Sequence, residues 1–331
     1  MMAQATETLK LAFGTVNLPY YINEPFNVAE RMAFLDHLSK GRVVYGYGGG
    51  SLPPDFAMFN VGDDMKDRMW EAMDVIETYL DAEEPTDYEG EFYSYEDHLV
   101  QVPPYQADRD SAVAGMTSLS TFTGAVERGH RPISNSMIPI EAPGNPVAVP
   151  LRDTSEELDR AAVESGRDPE VVRDQWSIAR EVYVAESKKQ AIEDVLAGAR
   201  EYYDYLFELG DGGLVNFVSK AEGQEWGREI DVPWLIENTP WIIGSPEDCV
   251  AQIKALYDEV GGFGTLLINH HDWGVPYSKW KQSYERFAEE VMPAFQENLR
   301  PRAHERAKAT DSYGTEPEAD PAAFDIGFDV D

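Results

Sequence analysis

Cysteine, long apolar runs and basic residues are all scarce in this chain of 331 residues. A single cysteine, Cys249, excludes a disulfide scaffold and a thiolate metal cluster, and the 6 histidines show no ligand spacing. No apolar run approaches the ~18 residues that a membrane span needs. The first residues lack the basic and apolar regions of a signal peptide. We therefore expect a cytoplasmic protein that binds no metal.

Basic residues are few compared with acidic residues. The sequence has 27 Lys and Arg against 61 Asp and Glu, which gives a net charge of −34. Because the excess is spread along the chain, it is typical of a halophilic protein, in which salt screens repulsion over ~3 Å at molar strength. An ordinary acidic cytosolic protein is the alternative. Neither offers the basic surface that a nucleic acid or an anionic membrane requires.

Short apolar runs alternate with helical periods, which is typical of βα units and a parallel sheet. This pattern predicts six strands, over residues 9–17, 42–47, 111–116, 131–136, 176–185 and 264–269. It predicts helices over residues 26–38, 119–128 and 187–209, and another on the face marked by Met65, Met69, Met73, Ile76 and Leu80. The run Ser245-Pro246-Glu247-Asp248 predicts a capped helix start, and Gly261 its end.

Six strands fall short of a complete (β/α)8 TIM barrel, which has eight strands in about 250 residues. We predict an α/β TIM-barrel domain over residues 1–299, N-terminally truncated to about six parallel strands, with insertions near 137–175 and 210–240. Residues 300–331 are acidic and aperiodic, and we expect a disordered tail there. A doubly wound sheet of six strands is the alternative, but no G-x-G-x-x-G turn precedes a helix near the start.

Several stretches of the sequence carry a family resemblance. They are Gly14-Thr15-Val16-Asn17-Leu18-Pro19, the run from Val28 through Leu35-Asp36-His37-Leu38-Ser39-Lys40-Gly41-Arg42, Asp55-Phe56 with Arg68, and the C-terminal run from Gly262 to His271-Asp272-Trp273. Together they resemble the bacterial-luciferase superfamily of flavin-dependent monooxygenases, and the last run resembles its limonene- and alkane-monooxygenase branch. The resemblance implies a luciferase-like barrel. It also implies a missing start, because the family's Glu-His-His-like motif after the second barrel strand has no counterpart here.

The resemblance implies that FMN binds at the carboxyl ends of the strands. Its ring is expected against the backbone of Thr15, Val16 and Asn17, often through a non-proline cis peptide; a strand end with a polar Asn is the alternative. Gly48 would permit close approach of a ligand. The full set of expected cofactor-binding residues is Thr15, Val16, Asn17, Gly48, Arg68, Thr117, Ser118, Thr121, Ser134 and Asn135.

Two features are expected to hold the FMN phosphate. Hydroxyls crowd the strand-to-helix step at 117–121, where free N–H groups and the helix dipole favour an anion; a simple N-cap is the alternative. Gly49 stands where luciferases proper carry an arginine, so another group must supply the charge. Arg68 matches an arginine that the family uses on the phosphate, and its alternative role is a surface pair with Asp64 or Glu71.

One histidine is expected to take part in catalysis. His271 follows the last predicted strand, and with Asp272 it is a candidate acid–base pair. Packing beside Trp273 is the alternative. Tyr20, Tyr21 and Phe59 could line an apolar substrate cavity, although aromatic core packing is the commoner explanation.

The leading functional hypothesis is an FMN-dependent monooxygenase. It would take reduced FMN from a separate flavin reductase and insert one oxygen atom from O2 into a small apolar organic substrate. The resemblance implies a terpene, alkane or aldehyde as substrate, and a homodimer as the assembly. A deazaflavin-dependent oxidoreductase of the same fold and a non-catalytic barrel subunit or fragment are the alternatives.

Overall fold

The computed structural model describes residues 1–50, 53–115, 118–135, 151–209, 231–238, 241–271 and 273–295. The strands are β1 Leu11–Ala12, β2 Val16–Asn17, β3 Val43–Gly48, β4 Thr86–Glu89, β5 Ser94–His98, β6 Ser111–Gly115, β7 Arg131–Asn135, β8 Ser177–Val184, β9 Ile242–Gly244 and β10 Thr265–Asn269. The helices are α1 Met2–Ala5, α2 Pro25–Ser39, α3 Pro53–Met58, α4 Met65–Asp81, α5 Leu119–Glu127, α6 Leu151–Glu164, α7 Pro169–Gln175, α8 Lys188–Leu209, α9 Val232–Asn238, α10 Pro246–Val260 and α11 Tyr277–Arg286.

One parallel sheet organises the fold, in the order β1-β3-β6-β7-β8-β10. In addition, β2 pairs with the carboxyl end of β3, and β9 pairs with the carboxyl end of β8. β4 and β5 form a separate antiparallel hairpin. Five of the six predicted strands are confirmed, the first is present only in part, and the sheet matches the predicted barrel type. Because the sheet is parallel, its strands all end along one side, where ligands of α/β barrels bind.

The first predicted strand is interrupted in the structure. β1 pairs Leu11 with Val43, and β2 pairs Val16 with Tyr47, so both lie along β3. Between them the chain departs from the sheet, and the Gly14–Thr15 peptide bond is cis. At this point the two backbones approach closely, since a Cβ on Gly46 would lie 1.9 Å from the Phe13 carbonyl oxygen. Glycine at position 46 is therefore required for this strand pairing.

The core is built where helices cover the sheet. One cluster joins Tyr45 and Tyr47 of β3 to the methionine face of α4, and this confirms the predicted helix face. Successive residues of β8 face opposite sides. Val182 packs against α10, whereas Tyr183 packs against α8 with a group of tryptophans. These tryptophans are Trp241, Trp273 and Trp280.

The predicted helix boundaries near the C-terminus are largely confirmed. Ser245 and Asp248 form a reciprocal capping box, and Gly261 ends α10 in the left-handed conformation. The sequence predicts irregular structure over residues 210–240, which include Trp226 and Trp234. This is wrong for residues 232–238, because Trp234 lies in α9, and Trp226 lies outside the described residues.

The sequence also predicts a closing helix whose inner stripe is formed by Trp280, Tyr284, Phe287, Val291 and Phe295. This is wrong at Tyr284, which is exposed, because Ser283 faces β8 and accepts a hydrogen bond from the Val184 amide.

The sequence predicts a short hairpin around residues 91–93 and 98–102, and the structure forms it earlier in the chain. Its strands are β4 and β5, and residues expected to start it, 91–93, lie in its turn. The Glu71 carboxylate of α4 accepts hydrogen bonds from the amides of Phe92 and Tyr93, which fixes that turn. In the described part of the chain, no helix combines the length and apolarity needed to cross a membrane.

Candidate functional site

A cavity of about 480 Å³ opens at the carboxyl ends of β2, β3 and β6, a volume typical of a small-molecule site. The described residues that line it come from the ends of β2, β3 and β6, from α3 and α4, and from the start of α5. They are Gly14, Thr15, Asn17, Gly48, Gly49, Gly50, Asp55, Met65, Lys66, Met69, Ala114, Gly115, Ser118 and Thr121. The cavity therefore lies where the fold class places ligands.

Lys66 and Ser118 form a polar end of this cavity, and Ser120 lies beside them. Lys66 Nζ of α4 donates a hydrogen bond to Ser118 Oγ at 3.0 Å and also contacts Ser120 Oγ. Ser118 Oγ and Ser120 Oγ are 2.9 Å apart. Ser118 stands at the N-cap of α5, but within the described residues its side chain makes no capping hydrogen bond. The two serine hydroxyls therefore contact Lys66 at the N-terminus of α5. The alternative, in which Ser118 caps the helix with its side chain, is not observed.

The electrostatics of this group favour an anion. Burial lowers the pKa of the Lys66 ammonium below its usual value, and the carboxylate of Asp67 offsets part of that effect. The N-terminus of α5 adds the positive end of the helix dipole and amide N–H groups. A phosphate bound here would replace the lost solvation of Lys66. Its oxygens would accept from the ammonium and from hydroxyl groups.

The opposite wall of the cavity is mostly backbone. A Cβ on Gly48 would lie 2.4 Å from Thr15 Oγ1, so position 48 admits only glycine while Thr15 keeps its place. A Cβ on Gly14 would meet no described atom within 4 Å, which leaves this backbone open to a ligand. A flat ring could therefore lie against the chain between β1 and β2. The donor set and this open wall fit the phosphate and the ring of FMN.

Five of the expected cofactor-binding residues meet in this cavity. They are Thr15, Asn17, Gly48, Ser118 and Thr121. Val16 instead lines the adjoining cavity, on the other side of the same strand. Ser134 is buried, and its hydroxyl accepts a hydrogen bond from Trp176 Nε1 at 2.8 Å. Thr117 and Asp272 lie outside the described residues, as does the side chain of Asn135.

Arg68, the expected source of positive charge, is not among the described residues that line this cavity. Its guanidinium donates to Asp64 at 2.7 Å and lies over the Phe92 ring at 4.5 Å, beside a different cavity. This is the surface pairing given as its alternative. Two residues span about 200° around a helix, so Lys66 and Arg68 face different directions. The sequence does contain a signal for Lys66 that the family resemblance does not use. Lys66 precedes the inward-facing Met69 by three residues, so the two lie on the same face of the helix.

His271 is also absent from the described lining of this cavity. Its Nε2 lies 3.3 Å from Oε1 of the buried Glu181 on β8, and its ring packs on Tyr202 at 4.5 Å between centroids. These contacts place it on the α8 side of the sheet, with the tryptophan cluster. The expected catalytic histidine therefore packs against Glu181 and Tyr202, and it is not part of the Lys66 cavity.

Comparisons with known proteins agree with the fold. Residues 1–262 match the luciferase-like monooxygenase family. The chain is 32% identical over 299 residues to 4-hydroxyprotoasukamycin monooxygenase of Streptomyces nodosus subsp. asukaensis, covering 90% of this chain and 76% of that protein. It is 32% identical over 302 residues to limonene 1,2-monooxygenase of Rhodococcus erythropolis, covering 91% and 72% respectively.

A solved structure shows the same relationship. The oxygenating constituent of 3,6-diketocamphane monooxygenase from Pseudomonas putida, determined in complex with FMN, superimposes with a TM-score of 0.71 at 25% identity. The match covers 88% of this chain and 81% of that structure. The fold is thus that of a luciferase-like α/β barrel. The chain belongs to the luciferase-like monooxygenase family, and it is a flavin-dependent oxidoreductase.

Proposed function

We propose that this protein is an FMN-dependent monooxygenase that inserts one oxygen atom from O2 into a small apolar organic substrate. The observation that carries the proposal is the Lys66–Ser118–Ser120 group at the N-terminus of α5, opposite the open backbone at Gly14. This arrangement offers a phosphate site and a ring site in one cavity, and the Pseudomonas putida relative binds FMN.

The cofactor supplies the redox chemistry and the protein supplies its position. When bound, reduced FMN would supply the two electrons with which O2 gives one oxygen atom to the substrate and the other to water. Lys66 balances the phosphate charge, and Ser118, Ser120 and Thr121 offer hydroxyl donors to its oxygens. The backbone at Thr15 and Asn17, with Gly48, positions the ring.

The remaining wall of the cavity supports an apolar substrate. Met65, Met69 and Ala114 bring apolar atoms to its surface, and the adjoining cavity is lined largely by apolar and aromatic side chains. Such surfaces exclude water from the reacting atoms, which protects a reactive oxygen species from side reactions. Both curated relatives described above are named as monooxygenases of organic molecules.

A separate flavin reductase is the proposed source of reduced FMN. The Pseudomonas putida structure is described as the oxygenating constituent of its enzyme, which supports a division of labour between two proteins. A homodimer is the proposed assembly, by analogy with the family.

Turnover with labelled oxygen tests the proposal. The protein is incubated with reduced FMN, ¹⁸O2 and a panel of terpenes and long-chain alkanes in molar salt, and the products are analysed by mass spectrometry. We expect one ¹⁸O atom in a product that forms only when protein, reduced FMN and O2 are all present. Failure of FMN to bind under these conditions would refute the proposal.

A deazaflavin cofactor is the competing possibility, because the cavity offers both cofactors a phosphate site. Deazaflavin would support hydride transfer without oxygen. Tight binding of deazaflavin but not FMN, with oxygen-independent oxidation of an alcohol, would therefore replace the monooxygenase assignment.

A further inference from the structure

The described lining of the proposed flavin cavity contains two charged side chains. One is Lys66, which belongs to the proposed phosphate site, and the other is the half-buried Asp55 of α3. A charge that a ligand covers costs free energy unless the ligand pairs with it. A carboxylate only accepts hydrogen bonds, so a ligand that fits this cavity needs a donor where it meets Asp55.

Asp55 lies at the strand-end wall of the cavity, beside the hydroxyl of Tyr20. Burial, followed by the Asp55 carboxylate, raises the pKa of Tyr20, whereas the Asn17 side chain lowers it. A Cβ on Gly50 would lie 2.4 Å from the same hydroxyl oxygen. Asn17 follows the cis peptide at the end of β2, and Gly50 follows β3. Asp55 is therefore next to the backbone against which the flavin ring is proposed to lie.

The basic side chains of the following helix do not neutralise Asp55. Burial lowers the pKa of Lys66, and the carboxylate that offsets this effect is that of Asp67, not that of Asp55. Arg68 pairs with Asp64 at 2.7 Å. Within the described residues, Asp55 forms no salt bridge. Its negative charge therefore remains available to a donor of the ligand, at a distance from the proposed phosphate site.

We propose that Asp55 holds the pyrimidine edge of the flavin ring by accepting a hydrogen bond from its N3–H. This N–H is present in both the oxidised and the reduced ring, and an ionised carboxylate is a strong acceptor for it. With the phosphate on Lys66 and N3–H on Asp55, the two charged side chains of the cavity fix the direction in which FMN lies. This inference rests on the proposed function, because it takes the cavity as the flavin site.

The analogue 3-methyl-FMN tests the inference, because a methyl group replaces the N3–H donor. Fluorescence titrations compare FMN with 3-methyl-FMN for the wild type, Asp55→Ala and Asp63→Ala. We expect the wild type to bind FMN about 10- to 100-fold more tightly than the analogue, as for a hydrogen bond to a charged group. Asp55→Ala should bind both flavins within about twofold of each other. Asp63→Ala removes an exposed carboxylate and should keep the wild-type ratio.

Two further measurements guard the result. Asp55→Asn keeps the size of the side chain and one acceptor oxygen but loses the charge, so we expect a ratio between those of the wild type and Asp55→Ala. It replaces the alanine variant if that variant does not fold. Riboflavin and 3-methylriboflavin lack the phosphate, and the wild type should show the same ratio for this pair, because the contact is made at the ring.

The affinity of the wild type for FMN separates this inference from the proposed function. If the wild type does not bind FMN, the proposed function fails. If it binds FMN and 3-methyl-FMN equally, the proposed function stands and the role of Asp55 is refuted. A wild-type ratio that persists in both Asp55 variants would show that another group accepts from N3–H, which also overturns the inference.

Discussion

A single carboxylate ties together the amino ends of three strands. Asp110, just before β6, accepts hydrogen bonds from Lys10 and from Arg131, each at 2.9 Å. Burial alone would raise the pKa of Asp110, but the attraction of Arg131 and Lys10 is stronger, and the pKa is lowered. A carboxylate with a lowered pKa stabilises the folded state above its unfolded pKa of about 3.9, and this contribution is lost as the pH falls through the folded value.

We expect Asp110→Asn to reduce the free energy of unfolding by about 1.5–3 kcal/mol at pH 7, because two charge-assisted hydrogen bonds weaken. The difference between wild type and variant should shrink as the pH falls below about 4. Urea unfolding across this pH range measures both. Asp63→Asn, at an exposed carboxylate, is the control and should have little effect. A gap that stays constant down to the lowest pH would contradict the assigned role of Asp110.

At the proposed phosphate site, the sequence identified the connection but not the cation. Hydroxyls at a strand-to-helix step are a local signal, and Ser118 and Thr121 were predicted from it. Whether Lys66 or Arg68 faces the cavity depends on how α4 is rotated about its axis. Because two residues are about 200° apart around a helix, only one of the two can face it. The family resemblance favoured Arg68, whereas packing of Met69 against the sheet turns Lys66 to the cavity.

At the scale of elements, the longer strands and helices could be predicted from their hydrophobic periodicity. The break between β1 and β2 and the short strand β9 could not. Strands and helices of several residues carry their own pattern, as β8, α4 and the capped α10 show. β9 has three residues, too few for a period to be visible. The break between β1 and β2 depends on the close approach of Phe13 to Gly46, a contact between different strands. Local sequence does not encode such a contact.

The α4 helix is the element that connects core and site. Its buried face packs on Tyr45 and Tyr47 of β3, and the same face carries Lys66 towards α5. On another side, Glu71 and Arg68 hold the β4–β5 hairpin through its turn and through Phe92. The position of the proposed phosphate site is therefore set by core packing, while Arg68 contributes to the surface of the hairpin.

For the molecule as a whole, the dominant electrostatic feature is its net charge of −34. Repulsion among dispersed carboxylates opposes the compact state, and salt screens it. Exposed ion pairs, such as Arg160 with Glu164 and Lys281 with Glu285, are also screened, but each contributes little. Relief of the repulsion is therefore expected to outweigh the loss of the pairs.

We accordingly expect the thermal unfolding temperature to rise between 0.1 and 2 M KCl. A gain of about 2 kcal/mol would raise it by about 3 °C. Differential scanning calorimetry at both salt concentrations measures the change. Sodium perchlorate at equal ionic strength serves as a comparison for ion-specific effects. An unfolding temperature that falls with KCl would contradict the halophilic interpretation.

The central claim is that the carboxyl ends of β2, β3 and β6 and the start of α5 form one flavin site, with Lys66 of α4 as its cation. Fluorescence titration of FMN against Lys66→Met and Arg68→Met tests it most directly, since each variant removes one positive charge from the same helix. We predict that Lys66→Met weakens FMN binding about 10- to 100-fold, as expected for a charged hydrogen bond, and that Arg68→Met stays within about twofold of the wild type. The opposite order, with Arg68→Met weakened and Lys66→Met unchanged, would contradict the account.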